Sequence, residues 1–143
     1  NYGVVDVNGL DASITYFITR SLSFDLHYSY LNVSDFLNPV TNSKDPINAP
    51  KNKGGFKIQY EPQDKPYTFS LNFRHVDGFP WSSGIFYGNI NSYNIFDLHA
   101  DYKINDNLAA MLTLNNMLDH MHTEIQGGPQ LGRVIMFRLQ AKF

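Results

Sequence analysis

The chain has 143 residues, of which 43% are hydrophobic and 15% aromatic but only 17% charged, whereas soluble domains usually carry about 25% charged residues. No run approaches the roughly 20 apolar residues of a transmembrane helix, so any membrane-spanning segment must be a strand. The net charge of −2 gives no indication of a nucleic-acid surface, and the absence of cysteine excludes disulfides and thiolate chemistry.

Seven strands are predicted in chain order, because apolar and polar residues alternate with period two between turn signals. They cover residues 2–18, 22–33, 54–60, 67–76, 93–103, 108–116 and 132–143. The connections alternate between short turns, at 19–21, 61–66 and 104–107, and long loops, at 34–53, 77–92 and 117–131. This alternation is typical of outer-membrane barrels, which have short periplasmic turns and long extracellular loops.

The pattern therefore predicts an all-β fold, a transmembrane antiparallel β-barrel. With the short turns in the periplasm, the last strand ends in the periplasm and the first of the seven begins outside the cell. Bacterial barrels usually have an even number of strands. We therefore expect residues 1–143 to be the C-terminal part of a longer barrel.

Each strand presents one apolar and one polar face. The apolar face carries no charged residue: it comprises Leu10, Ala12, Ile14, Tyr16, Leu22, Phe24, Leu26, Tyr28, Tyr30, Phe56, Ile58, Tyr60, Tyr67, Phe69, Leu71, Phe73, Phe96, Leu98, Ala100, Tyr102, Leu108, Ala110, Leu112, Leu114, Ile135, Phe137, Leu139, Ala141 and Phe143. The polar face supplies six candidate lumen-facing groups: Asp25, His27, Arg74, Asp97, His99 and Asp101. A one-residue slip would turn every charge toward the apolar side, so the register is strongly specified.

A soluble lipocalin-like barrel or β-sandwich also has one apolar face, which points inward. Two features favour the membrane instead. Five aromatic residues lie beside the short turns or at the C-terminus: Tyr16, Tyr60, Tyr67, Tyr102 and Phe143. An aromatic girdle at the membrane interface requires such a row. The high β-propensity of Tyr is the alternative explanation. The polar face is dominated by Ser, Thr, Asn and Asp, whereas a soluble surface carries more Lys and Glu.

Several motifs resemble those of TonB-dependent receptors, in the same order along nearly the whole chain. Residues 7–12 resemble an x-x-G-x-E-x strand entry, 48–53 an N-A-P-x-H-K segment, and 79–84 an F-x-W-x-S-G loop. Residues 116–119, N-M-L-D, resemble the N-L-F-D signature that precedes the G-R of the last strand. The final strand also resembles the assembly signal of outer-membrane barrels, through Phe137, Leu139, Ala141 and Phe143.

The resemblance implies a barrel of about 22 strands filled by an N-terminal plug, to which TonB binds. It implies energised import of a scarce, bulky nutrient, such as a siderophore, vitamin or oligosaccharide, across the outer membrane of a Gram-negative bacterium. The expected partners are outer-membrane lipid, TonB through the missing N-terminal part, the barrel-assembly machinery and surface lipoproteins or other complex subunits. The alternative is a receptor-like barrel that serves as a structural subunit of an outer-membrane complex.

Candidate chemistry is sparse, and we expect neither an enzyme nor a cofactor. No nucleophile elbow, phosphate loop or zinc-hydrolase motif is present. His120 and His122 offer imidazoles to a metal, but two ligands do not complete a site, so no metal centre is predicted. Four aromatic residues of the second long loop are predicted to contact a ligand or partner, with packing against neighbouring loops as the alternative: Phe79, Trp81, Phe86 and Tyr87.

Overall fold

The computed structural model describes residues 6–33, 36–37 and 44–142. Seven antiparallel strands form its main sheet: β1 (Val7–Phe17), β2 (Leu22–Val33), β5 (Asn52–Tyr60), β6 (Tyr67–Val76), β9 (Tyr93–Asn105), β10 (Leu108–Asn115) and β11 (Val134–Ala141). They lie in the order β1-β2-β5-β6-β9-β10-β11, so each strand pairs with the next one of the sheet along the chain. The all-β, antiparallel prediction is confirmed, and the predicted bounds of β2 and β6 match the structure. Residues 2–5, predicted as strand, and Phe143 lie outside the described residues.

Apart from an irregularity between β9 and β10 at Leu108 and Ala109, the register keeps the two faces of the sheet separate. On the apolar face Ile14 pairs with Leu26, Leu26 with Phe56, and Phe56 with Phe73. Phe73 in turn pairs with Phe96, and their ring centroids lie 4.8 Å apart. Apolar side chains thus meet apolar side chains across strand boundaries, and these cross-strand pairs are the unit of sheet stabilisation.

The apolar face is bounded at both ends by polar or amphipathic groups. At the short-turn end Tyr67 pairs with Tyr102, and the Tyr60 ring lies 6.3 Å from that of Tyr67. At the long-loop end the Tyr28 hydroxyl donates to Asn52 Oδ1 at 2.6 Å, and Asn52 Nδ2 donates to the carboxylate of Asp77 at 2.6 Å. The hydrogen bond from Asn52, and to a lesser extent the one from His75, holds the pKa of Asp77 below its usual range. We call this second boundary the polar rim: Tyr28, Asn52, His75, Asp77 and Asn94.

Two of the long loops contain hairpins that the sequence analysis did not predict. β3 (Phe36–Leu37) pairs with β4 (Lys44–Asp45), and β7 (Phe79–Ser83) pairs with β8 (Phe86–Ile90). The β7–β8 turn has Gly84 at φ +60° as its first central residue, as a type II′ turn requires. The sequence predicts 77–92 only as a long loop, and the structure adds this hairpin within it.

A small core supports this hairpin at the long-loop end of the sheet. Val76, Tyr93 and Ile95 belong to the strands, Phe79 and Ile90 belong to the hairpin, and all five are buried. Burial of these side chains fixes the hairpin on the polar side of the sheet. Within the described residues no helix is long and apolar enough to cross a membrane.

Candidate ligand-binding loops

The first long loop is joined to the hairpin by an amide clasp. Asn48 Nδ2 donates to the Ser82 carbonyl at 2.8 Å, and the Ser82 N–H donates to Asn48 Oδ1 at 2.7 Å. The side-chain amide therefore satisfies both backbone groups of a hairpin residue, as a neighbouring strand would do. This gives a physical role to the Asn of the N-A-P motif.

A second clasp begins the third long loop. Asn116 is 4% exposed, adopts φ +52°, and donates its N–H to Asp97 Oδ1 at 2.8 Å. Its side chain receives the His120 N–H and donates to the His120 carbonyl, each at 2.9 Å. Asn tolerates the left-handed conformation better than other side chains do, so one residue type provides both the turn and the bonds.

Asp119 ends the same motif and connects it to the last strand. It adopts φ +57°, and its Oδ1 accepts the Arg133 N–H at 2.8 Å. The N-M-L-D segment and the downstream G-R therefore form one structural unit that returns the chain to β11.

The second and third long loops pack directly on each other. Gln126 Nε2 donates to the Asn89 carbonyl at 2.8 Å. The Phe86 ring covers Gly127 so closely that a Cβ there would lie 2.4 Å from Cδ1 of the ring. Gly127 also has φ +79°, so this position requires glycine for two reasons. The two loops form a single preformed surface.

The four predicted loop aromatics have different surroundings. Phe79 is buried in the hairpin core, and Trp81 is half-buried with its ring centroid 6.2 Å from that of Phe79. Phe86 is 49% exposed and Tyr87 is 81% exposed. The structure thus brings Phe79 and Trp81 together as packing residues and leaves Tyr87 open to solvent; a ligand role for the four residues remains a prediction.

Arg74, one of the predicted lumen-facing residues, lies beside the third loop. Its guanidinium is 3.6 Å from Glu124 Oε1. Glu124 is also 3.4 Å from Nε2 of the buried His122, whose ring lies 4.5 Å from that of Tyr93. The third loop therefore places an acid over the polar face at this end of the sheet.

His99 and Asp101, which were predicted to share the polar face, are in contact there. His99 Nε2 is 3.1 Å from Asp101 Oδ2, and His99 Nδ1 is 2.8 Å from the Thr113 hydroxyl. This hydroxyl–imidazole–carboxylate chain has the connectivity of a catalytic triad. Thr113, however, lies on β10, which is paired on both sides, so the sheet uses the backbone N–H groups that an oxyanion hole would need.

Asp25 and His27 do not join that group. Asp25 accepts a hydrogen bond from Thr15 Oγ1 at 2.6 Å, and His27 lies beside Gly55 on the neighbouring strand. Asp97 is engaged by the clasp at Asn116. The six predicted polar residues therefore share one face but do not form one site.

The predicted assembly residues continue the apolar face to the edge strand β11. Phe137 pairs with Leu112 and is 70% exposed, and Leu139 pairs with Ala110. Ala141 pairs with Leu108. Their role in assembly stays a prediction.

The histidines of the third loop do not form a metal centre with other ligands. His122 Nδ1 is 3.0 Å from the His120 carbonyl, and the two rings lie 6.4 Å apart. Within 6–33, 36–37 and 44–142 no group of three or more His, Asp or Glu side chains is placed to hold a metal ion.

Comparison with solved structures shows the same fold in outer-membrane receptors. Copper transporter OprC matches with a TM-score of 0.77 and 17% identity over 97% of this chain. The siderophore receptor PiuA from Acinetobacter baumannii matches with a TM-score of 0.75 and 18% identity over 97% of this chain. The ferric-catecholate import receptor Fiu from E. coli K12 matches with a TM-score of 0.74 and 18% identity over 98% of this chain. The chain spans 24%, 22% and 21% of these three proteins, respectively.

No curated protein sequence matches the chain. The family model described as "TonB dependent receptor-like, beta-barrel" matches residues 1–117, which is most of the chain. Transporters and receptors, rather than enzymes, make up the matched family and the similar structures. The antiparallel sheet agrees with this match, and the chain belongs to the TonB-dependent receptor β-barrel family.

Proposed function

We propose that this chain forms part of the wall of an outer-membrane barrel and that its apolar face contacts lipid. The supporting observation is the height of that face. Tyr67 and His75, both on β6, are separated by eight residues. With a rise of about 3.3 Å per residue and a tilt of about 40°, they lie about 20 Å apart along the membrane normal. That approaches the apolar band of about 25 Å in such barrels.

The complete receptor, in our proposal, imports a scarce, bulky nutrient by TonB-driven transport. Family membership supports this, as do long loops that are folded and clasped together at one end of the sheet. A rigid loop surface lowers the entropic cost of capturing a dilute ligand. TonB would act through an N-terminal plug, and β11 would be recognised by the barrel-assembly machinery.

We propose transport rather than catalysis for the polar face. Its hydroxyl–imidazole–carboxylate chain lacks free backbone donors, and the other polar residues are dispersed among separate hydrogen bonds. In this proposal their role is to line a wet or plug-filled lumen.

Uptake in whole cells tests this function. Cells that produce the full-length receptor would be given ⁵⁵Fe-loaded siderophores, labelled cyanocobalamin or labelled oligosaccharides, with and without a functional TonB. We expect receptor-dependent accumulation of one ligand class that disappears in the TonB-deficient strain.

Two results would count against transport. If no class accumulates and the purified receptor does not bind TonB, the import function is wrong. Stable co-purification with a membrane complex in that case would favour the structural-subunit alternative, with the hairpin and third loop as its contact surface.

A further inference from the structure

A cleft of about 370 Å³ lies between the end of the β7–β8 hairpin and the third long loop. Its volume falls within the range of about 300–1,000 Å³ that is usual for small-molecule sites. The lining residues come from both loops and include Asn91, His120, His122, Thr123, Gln126 and Gln130. The cleft therefore depends on the packing of one loop against the other.

Apart from His120 and His122, the lining consists of neutral side chains, most of which can form hydrogen bonds, and it contains no Asp, Glu, Lys or Arg. Each amide supplies one acceptor and two donors, and each hydroxyl supplies both. Among the described residues, no hydrogen bond occupies the side chains of Asn91, Thr123 or Gln130. These groups are free to bond to a ligand that carries both donors and acceptors.

The two loops that line the cleft carry net negative charge, which disfavours an anionic ligand. Residues 77–92 contain one charged residue, Asp77, and residues 117–131 contain Asp119 and Glu124 but no Lys or Arg. On the polar face, Arg74 already faces Glu124 at 3.6 Å. An anionic chelate would therefore meet net negative charge from these two loops.

An exposed aromatic side chain stands next to the cleft on the same strand. Tyr87 precedes Asn89 by two residues, so the two side chains point to the same side of β8. Tyr87 is 81% exposed and has a flat apolar ring with a polar hydroxyl. Such a ring suits the face of a sugar, which presents C–H groups within a ring of hydroxyls.

We propose that this cleft binds a neutral, hydroxyl-rich ligand, a sugar residue of an oligosaccharide, through its amide and hydroxyl side chains. The proposal rests on the import function above and specifies its substrate class. The Gln126–Asn89 hydrogen bond and the Phe86–Gly127 contact hold the two walls in place before binding. Because the walls are preformed, less conformational entropy is lost on binding.

The proposal is tested by probing an array of neutral glycans with the full-length receptor, purified in detergent. Calorimetry with the strongest glycan would then compare Asn91→Ala and Gln130→Ala with Asn107→Ala, an exposed Asn in a short turn at the opposite end. We expect each cleft variant to weaken affinity about threefold to tenfold, the equivalent of one lost hydrogen bond, and the control to leave it unchanged. Ferric siderophore and Cu²⁺ should not compete.

Several results would overturn the proposed cleft or the proposed import function. Absence of binding to any neutral glycan, equal affinity in all variants, or displacement by Cu²⁺ would overturn the proposal. TonB-dependent ⁵⁵Fe-siderophore uptake without glycan binding would refute the sugar cleft and retain the import function. Glycan binding without TonB-dependent accumulation would refute import and retain the cleft.

Discussion

Replacement of Leu71 by arginine tests whether the apolar face of the sheet contacts lipid. Leu71 lies four residues beyond Tyr67 on β6 and pairs with Ile58 and Leu98. With a rise of about 3.3 Å per residue and a tilt of about 40°, it lies about 10 Å from the tyrosine girdle. That height is close to the middle of a band about 25 Å tall, where arginine costs about 2–4 kcal/mol.

The assay is urea unfolding of the full-length receptor in phosphatidylcholine vesicles, followed by heat-modifiable mobility on gels. Leu71→Ala serves as the reference, because it removes the packing without adding charge. We expect Leu71→Arg to lower the free energy of unfolding by about 2–4 kcal/mol relative to Leu71→Ala. Asn72→Arg, one residue along on the polar face, should cost far less. An equal or larger cost for Asn72→Arg would refute the assignment of the faces to lipid and lumen.

Three further substitutions test the loop contacts. Asn48→Ala removes both hydrogen bonds to Ser82 and should lower the free energy of local opening of the hairpin by about 1–3 kcal/mol. We expect faster hydrogen exchange in residues 79–90, and unchanged exchange would contradict the clasp. Asn116→Ala should destabilise the receptor more than Asn116→Gly in urea unfolding, because Ala loses the same bonds and is also strained at φ +52°; equal losses would contradict this explanation. Gly127→Ala should displace Phe86 and raise protease sensitivity of the third loop, and an unchanged digestion pattern would show that the two loops are not packed this way.

The strands of the main sheet were predictable because strict alternation specifies both the element and its faces. The charges on the polar face forbid a one-residue slip, so the assignment of residues to the two faces also followed from the sequence. The β7–β8 hairpin was missed because Pro80 and Gly88 interrupt alternation. Ser83-Gly84 before an aromatic pair was the available signal, since Gly at the first central position indicates a type II′ turn.

The loop surface was harder to predict because its contacts join distant parts of the chain. Asn48 and Ser82 are 34 residues apart, and Gln126 and Asn89 are 37 apart. The motifs marked Asn48 and Asn116, but only their backbone partners explain why an amide is required. No local pattern indicates that Asn91 and Gln130 line one cleft.

The clasps have a consequence for how such loops diversify. Asn48, Asn116 and Asp119 bind main-chain groups, so they determine the path of the loops without depending on which side chains those loops display. Exposed positions such as Tyr87 and Asn91 can therefore be exchanged while the loop backbone keeps its shape. In engineering terms these three residues form a reusable frame, and ligand selectivity can be redesigned on the surface that this frame presents.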